Sequence, residues 1–284
     1  MKAQKNPGRL SQMITRNVAR VHHKLLQQRA KALNRQLHAE VLSIDQEEFQ
    51  RFESVFRQYT QQRGYEPDYQ REFWGHRYRL YLSLEWLKPA IAALDANKAE
   101  QSLQGLEMGG ITVVTDFLTH TFPQVTWQNT KGDLRDAWEY PDQSIDIIAS
   151  MEVLEHVSDL PDGINDNFSG NGVAAILRQS YRVLKPGGIL FITTPNAGSV
   201  YTLIRALAGE PPWLYPYHVR EYTLKEMRTF LEEAGFKIWR AQAVHCLSID
   251  KKIDYTVLFQ TLLGSLIYQN FQDRGDDLVI MAEK

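Results

Sequence analysis

A chain of 284 residues with 43% hydrophobic and 23% charged side chains can bury at least one sizeable core. No apolar run approaches the roughly 18 to 20 residues of a membrane-spanning helix, and the N-terminus lacks the continuous apolar segment of a secretory signal. The single cysteine, Cys246, excludes an internal disulfide and a Cys-rich zinc site and suits a reducing compartment. The expected location is cytoplasmic, with a peripheral place at the inner membrane face left open by the N-terminal segment.

The net charge of −2 conceals an asymmetry. Nine basic residues from Lys2 to Arg35 precede the first acid, Glu40, which leaves 23 Lys and Arg against 34 Asp and Glu in the remainder. Ile14, Val18, Val21 and Leu25 recur at helical spacing in this arm, so it reads as a basic amphipathic helix. Such a helix can dock on an anionic surface, or lay its narrow apolar stripe on the body or on a second copy in self-association. The acidic remainder disfavours a broad phosphate-binding surface, and with it nucleic acid as a partner.

Residues 46–62 read as a polar helix, Gly64 and Pro67 as a break, and 69–94 as a second long helix. Its Phe73, Trp74, Tyr78, Tyr81 and Trp86 do not fit one stripe, so it is expected to be covered on more than one side. Trp74, His76 and Arg77 are candidates to face a pocket beneath it. From about residue 99 strands and helices alternate, which argues for an α/β fold with a mostly parallel sheet. Strands are expected at 102–108, 125–130, 145–151, 188–194, 237–245 and 277–282. Helices are expected at 112–121, 152–158, 172–184, 199–208, 223–234 and 253–269. This divides the chain into a basic arm and helical extension or lid, 1–98, and an α/β domain, 99–284. Lys185-Pro186-Gly187-Gly188 marks a turn from helix to strand, and Gly235 closes another helix. Thr223 and Glu226 have the spacing of a capping box, and 161–172 is a polar Gly/Asn/Asp loop.

The chemistry concentrates at IDIIASMEVLEH, 145–156, an apolar strand running into a helix whose first turn would carry Glu152, Glu155 and His156. Positions i, i+3 and i+4 share a helical face, so two carboxylates and an imidazole are expected to converge above a buried strand end. In open α/β sheets that is where ligands bind.

These residues sit in a longer pattern. LEMGG at 106–110, GDL at 132–134, SIDIIASMEVLEHV at 144–157, YRVLKPGGILFITTPN at 181–196 and HVREYTLKEMRTFLEEAGF at 218–236 resemble the ordered motifs of class I S-adenosylmethionine-dependent methyltransferases. The resemblance implies a Rossmann-like, doubly wound sheet of seven-stranded type with an N-terminal helical extension. It implies S-adenosylmethionine as cofactor, held by Glu107, Gly109, Gly110, Asp133, Leu134 and Met151. The ligand carries no phosphate, so carboxylates and a close backbone approach suit it better than a phosphate-cradling loop. The chain departs from the family at Ile111 and Val113, where glycines are usual, and in the short interval 125–146. Asp133 is therefore open to a ribose or an adenine role.

Methyl transfer needs a nucleophile aligned with the methyl carbon and a group that takes its proton. One reading makes His156 the general base, oriented by Glu152 or Glu155. The other makes Glu152, Glu155, His156 and His218 ligands of a divalent metal: Mn, Fe, Zn or Mg. E-x-x-E-H followed by a lone His is similar to the metal site of small-RNA 2′-O-methyltransferases, and its first part resembles ubiquinone-biosynthesis O-methyltransferases. Both imply O-methylation beside a second oxygen. The expected acceptor is a small molecule, glycan or lipid-linked substrate, with Trp213, Tyr215 and Tyr217 as an aromatic wall. The alternatives are a metal-dependent RNA 2′-O-methyltransferase and a non-catalytic, regulatory cofactor-binding protein of the same fold.

Overall fold

The computed structural model describes residues 20–32, 35, 45–62, 77–96, 102–109, 112–159, 170–215, 217–244 and 273–284, with the side chains of the helix at 112–121 described from 117 onward. Residues 20–32 are helical, with Val21 and Leu25 exposed. Two long helices follow, α1 (Gln46–Gln62) and α2 (Arg77–Ala96). The alternating part then runs β1 (Leu103–Glu107), α3 (Thr112–Thr121), β2 (Val125–Asn129), β3 (Ile145–Met151), a single 3₁₀ turn (Leu154–His156), α4 (Asn171–Val183), β4 (Leu184–Pro195), α5 (Val200–Leu207), α6 (Leu224–Glu233), β5 (Lys237–Val244) and β6 (Asp277–Glu283). Among the described residues no helix is long and apolar enough to cross a membrane.

The strands form one sheet in the order β2-β1-β3-β4-β6-β5. All neighbours are parallel except β6, which runs antiparallel to β4 and β5. The chain builds outward from β1 to β2 and then restarts on the other side of β1 with β3. The order therefore reverses between β1 and β3, and the crevice at their carboxyl ends is where a doubly wound sheet receives ligands. The sheet has six strands among the described residues rather than seven. Residues 130–144, between β2 and β3, form turns and contain neither helix nor strand.

Side chains of the central strands alternate between two apolar layers, as a period of two requires. Ile147, Ala149 and Met151 of β3 and Ile189 and Phe191 of β4 pack under α1 and α2, beside Phe56, Tyr81, Leu87 and Ile91. Ile148, Leu190 and Ile192 face the opposite layer, with Leu177 of α4 and Met227 and Leu231 of α6. Helix α2 buries residues around most of its circumference, including Tyr78, Tyr81 and Trp86. That matches the expectation from its dispersed aromatics; Phe73, Trp74 and His76 lie outside the described residues.

Three local readings change. The segment 185–188 does not precede β4 but belongs to it. Ile145 pairs with Leu184 and Ile147 with Ile189, so Lys185 to Gly188 are accommodated as a bulge, held by Lys185 Nζ on Asp146 Oδ2 at 2.9 Å. The helix expected at 152–158 is the 3₁₀ turn alone, because Glu152 adopts a left-handed backbone (φ 58°) and Val157 is already extended. The helix expected at 253–269 lies outside the described residues, as do most of the 161–172 loop and the first 19 residues of the arm. Helix α6 begins as expected, with Thr223 and Glu226 forming both bonds of the capping box.

Candidate active site at the strand tips

The end of β1 carries the first acid of the crevice. Glu107 is fully buried, and its Oε2 accepts from Asn129 Nδ2 of β2 at 3.1 Å. Met108 then donates its N–H to the Ala149 carbonyl, and Gly109 turns the chain with φ 95°. A Cβ at Gly109 would stand 3.0 Å from Val153 Cγ2, so a side chain here is both strained and crowded. Gly110 lies outside the described residues. Met151, the last residue of β3, is buried in the layer beneath α2.

Beside this turn a cavity of about 730 Å³ is lined by Asn129, Gly132, Asp133, Trp138 and Tyr140, among others. Asp133 Oδ1 accepts from the Arg135 backbone at 2.9 Å and from Arg135 Nε at 2.8 Å. Those hydrogen bonds hold its carboxyl down at about 2, although it is 39% exposed. Leu134 is partly buried against the lower apolar layer, and its carbonyl accepts from Trp138 Nε1.

The acidic cluster divides. Glu152 points its Oε2 at Arg79 Nη1 of α2, 2.6 Å away, and the same nitrogen lies 3.4 Å from Asp277 Oδ2 at the start of β6. Burial pushes the Glu152 carboxyl well above the usual carboxylate range, the arginine acting against it. Glu155 is fully buried; Thr194 Oγ1 of β4 donates to its Oε2 at 2.9 Å, and its carbonyl accepts the N–H groups of Val219 and Arg220. Burial raises its carboxyl to about 7.

His156 is 44% exposed, with Nε2 3.9 Å from Glu155 Oε1. Its ring meets that of His218 edge-on, with centroids 4.9 Å apart. Partial burial and His218 lower its pKa from the ordinary imidazole value. One ligand atom each from Glu155, His156 and His218 lie within 4.8 Å of one another. The backbone turn thus brings together three of the four residues read as metal ligands, and Arg79 holds the fourth, Glu152, elsewhere.

Sequence reasoning missed Arg79, Asn129, Thr194 and the role of Glu221. Glu221 Oε1 sits 2.7 Å from His218 Nδ1, while Arg220 reaches Glu226 of α6 at 2.8 Å. The spacing of His218 and Glu221 within one short segment was the available signal. Trp213, Tyr215 and Tyr217 are exposed beside the site, and the Tyr215 ring lies 5.2 Å from Tyr217 and 5.5 Å from His218. A row of rings therefore leads from solvent to the histidines.

A family profile described as a methyltransferase domain matches residues 81–241. The chain is similar to a probable S-adenosylmethionine-dependent methyltransferase of Mycolicibacterium smegmatis, 32% identical over 98 residues, 34% of this chain and 31% of that protein. It is also similar to a ubiquinone biosynthesis O-methyltransferase of Bradyrhizobium, 26% identical over 136 residues, 43% of this chain and 49% of that protein. The aligned stretches thus span 31% to 49% of these relatives. Among solved structures, a SAM-dependent methyltransferase from Archaeoglobus fulgidus superposes with a TM-score of 0.44 at 16% identity, over 71% of this chain and 94% of that one.

Proposed function

Because the chain belongs to the methyltransferase-domain family, we propose that it transfers a methyl group from S-adenosylmethionine to a hydroxyl of a ring-bearing small molecule, glycan or lipid-linked acceptor. The observation that carries this reading is the meeting of Glu155, His156 and His218 at the carboxyl ends of the central strands, with ligand atoms within 4.8 Å, beside an aromatic approach. The O-methyltransferase among the relatives supports the choice of oxygen as acceptor.

S-adenosylmethionine supplies an electrophilic methyl on a cationic sulfonium. The residues present suit it: a buried acid at Glu107, a turn at Gly109 where a Cβ would be crowded and strained, and an adjoining cavity large enough for a nucleoside. In this reading Glu107, Gly109, Gly110 and Met151 line the methionine side. Asp133 and Leu134 shape the nucleoside side, Asp133 by pinning the turn through Arg135. Residues 1–98 are an extension whose α2 forms one layer over the sheet of 99–284.

One buried carboxylate and two imidazoles are a donor set for a borderline divalent ion such as Mn²⁺, Fe²⁺ or Zn²⁺, and suit Mg²⁺ less because it prefers oxygen. Such an ion lowers the pKa of a bound hydroxyl and fixes its direction. Glu155, His156 and His218 would hold it. The metal-free reading is favoured by one observation: His156 is half-exposed beside the buried Glu155, where partial burial and His218 act against its protonated form, so its ring can meet an acceptor from solvent. Glu155, not Glu152, is then the carboxylate beside it.

The test is calorimetric titration with S-adenosylmethionine and S-adenosylhomocysteine, then metal analysis and a screen of hydroxylated acceptors with a labelled methyl donor. Donor binding and label transfer to an acceptor oxygen are expected. No binding of either nucleoside by folded protein would overturn the enzyme reading, and unchanged turnover after chelation would remove the ion.

A further inference from the structure

We propose that Glu221 is a positioning residue that sets the tautomer of His218, making Nε2 the nitrogen offered to a ligand or to an acceptor proton. The inference rests on the reading of His218 as part of the active site.

The geometry carries it. Glu221 Oε1 and His218 Nδ1 are 2.7 Å apart, and both side chains are almost wholly buried. Oε1 already accepts the Leu214 backbone N–H and so acts as an acceptor, and the ring nitrogen that faces it carries the hydrogen. A neutral imidazole has one N–H, and Nε2 is left with its lone pair. The same Oε1 accepts the Leu214 backbone N–H, so one oxygen fixes both the imidazole and the turn that displays Trp213, Tyr215 and Tyr217. Glu221 Oε2 is buried and accepts no hydrogen bond among the described residues. The hydrogen bonds of this carboxylate therefore converge on the oxygen shared with His218. Between the two residues, Val219 and Arg220 donate their N–H groups to the Glu155 carbonyl, which ties the pair to the 3₁₀ turn carrying Glu155 and His156. Metal-bound histidines are oriented by such carboxylates, and losing the carboxylate weakens metal binding even though it touches no ion.

A role confined to stapling the loop would need Glu221 only as an acceptor for Leu214 N–H and would leave the tautomer of His218 unaffected by its loss. The experiment is nitrogen-15 NMR of the imidazoles at about pH 8.5, where histidine is neutral, on the full chain and on Glu221→Gln and Glu221→Leu. Titration with Zn²⁺ and Mn²⁺ accompanies it. The wild type is expected to show His218 protonated at Nδ1. Glu221→Gln, which keeps an acceptor oxygen, is expected to preserve that form, and Glu221→Leu to move the proton toward Nε2. Metal affinity in Glu221→Leu should fall about 10- to 100-fold, with most of it restored in Glu221→Gln.

His218 protonated at Nε2 in the wild type, or an unaltered tautomer in Glu221→Leu, would overturn the assignment. Should Glu221→Leu not fold, the wild-type spectrum decides. A wild type that shows the Nδ1–H form yet binds neither ion supports the tautomer assignment and overturns only the metal reading.

Discussion

Arg79 of α2 and Glu152 at the tip of β3 form an ion pair, Nη1 to Oε2 at 2.6 Å, that joins the helical extension to the carboxyl end of the sheet. The pair holds Glu152 apart from the cluster of Glu155, His156 and His218, and Asp277 of β6 lies within 3.4 Å of the same nitrogen. Replacing Arg79 with Leu would leave Glu152 without its counter-charge in a largely desolvated place. Losing one partner of such a pair costs on the order of 3 kcal/mol, so the urea midpoint of Arg79→Leu should fall. A second change, Glu152→Gln, should recover part of the loss, and two independent, additive effects would contradict the coupling.

Gly109 shapes the turn after β1, where the proposed donor site begins. A Gly109→Ala protein must hold a left-handed backbone with a Cβ against Val153, which costs about 1 to 3 kcal/mol. Calorimetry should show weaker S-adenosylhomocysteine binding by at least tenfold while the circular dichroism of the folded state is retained. Equal affinity would place the donor elsewhere.

Both versions of the proposed chemistry use Glu155, as ligand or as partner of the base. Glu155→Gln should lower kcat by about 10²- to 10⁴-fold with the fold intact. Wild-type turnover in that variant would exclude the site.

Stability of the metal-free protein should depend on this same carboxyl. Its folded pKa is raised from 4.5 to about 7, so between these values the folded protein holds a proton that the unfolded chain has released. This group's contribution therefore falls as pH rises from about 4.5 to 7. Thermal unfolding at several pH values in chelator should show that slope, flattened in Glu155→Gln; a rise of equal size lost in the variant would reverse the assignment.

Tyr217 is 74% exposed, so its aromatic ring has little to do with stability. Tyr217→Ala should leave the melting temperature within about a degree, since exposed substitutions change stability by only ~0.5 kcal/mol or less. KM for a ring-bearing acceptor should rise about tenfold, the scale of one aromatic contact. If kcat fell while KM held, the wall would be acting on the chemistry instead.

The architecture was legible in the chain because its signals are local. Alternating apolar runs, Gly and Pro punctuation and the Thr223–Glu226 spacing each act over a few residues, and the strands they indicate differ from the observed ones mainly at their ends. Apolar period alone could not reveal that β4 absorbs Lys185 to Gly188, since that depends on Asp146 in a neighbouring strand.

For the site, the order of residues determined that Glu152, Glu155 and His156 would stand at the end of a buried strand, because β3 must be covered on both faces and its tip alone meets solvent. Their division was decided only in three dimensions. Arg79 and Asp277 claim Glu152, Thr194 holds Glu155, and Glu221 takes one nitrogen of His218. These partners come from other strands, a distant helix and a loop, and charge and hydrogen-bond pairing depend on distance in space rather than along the chain.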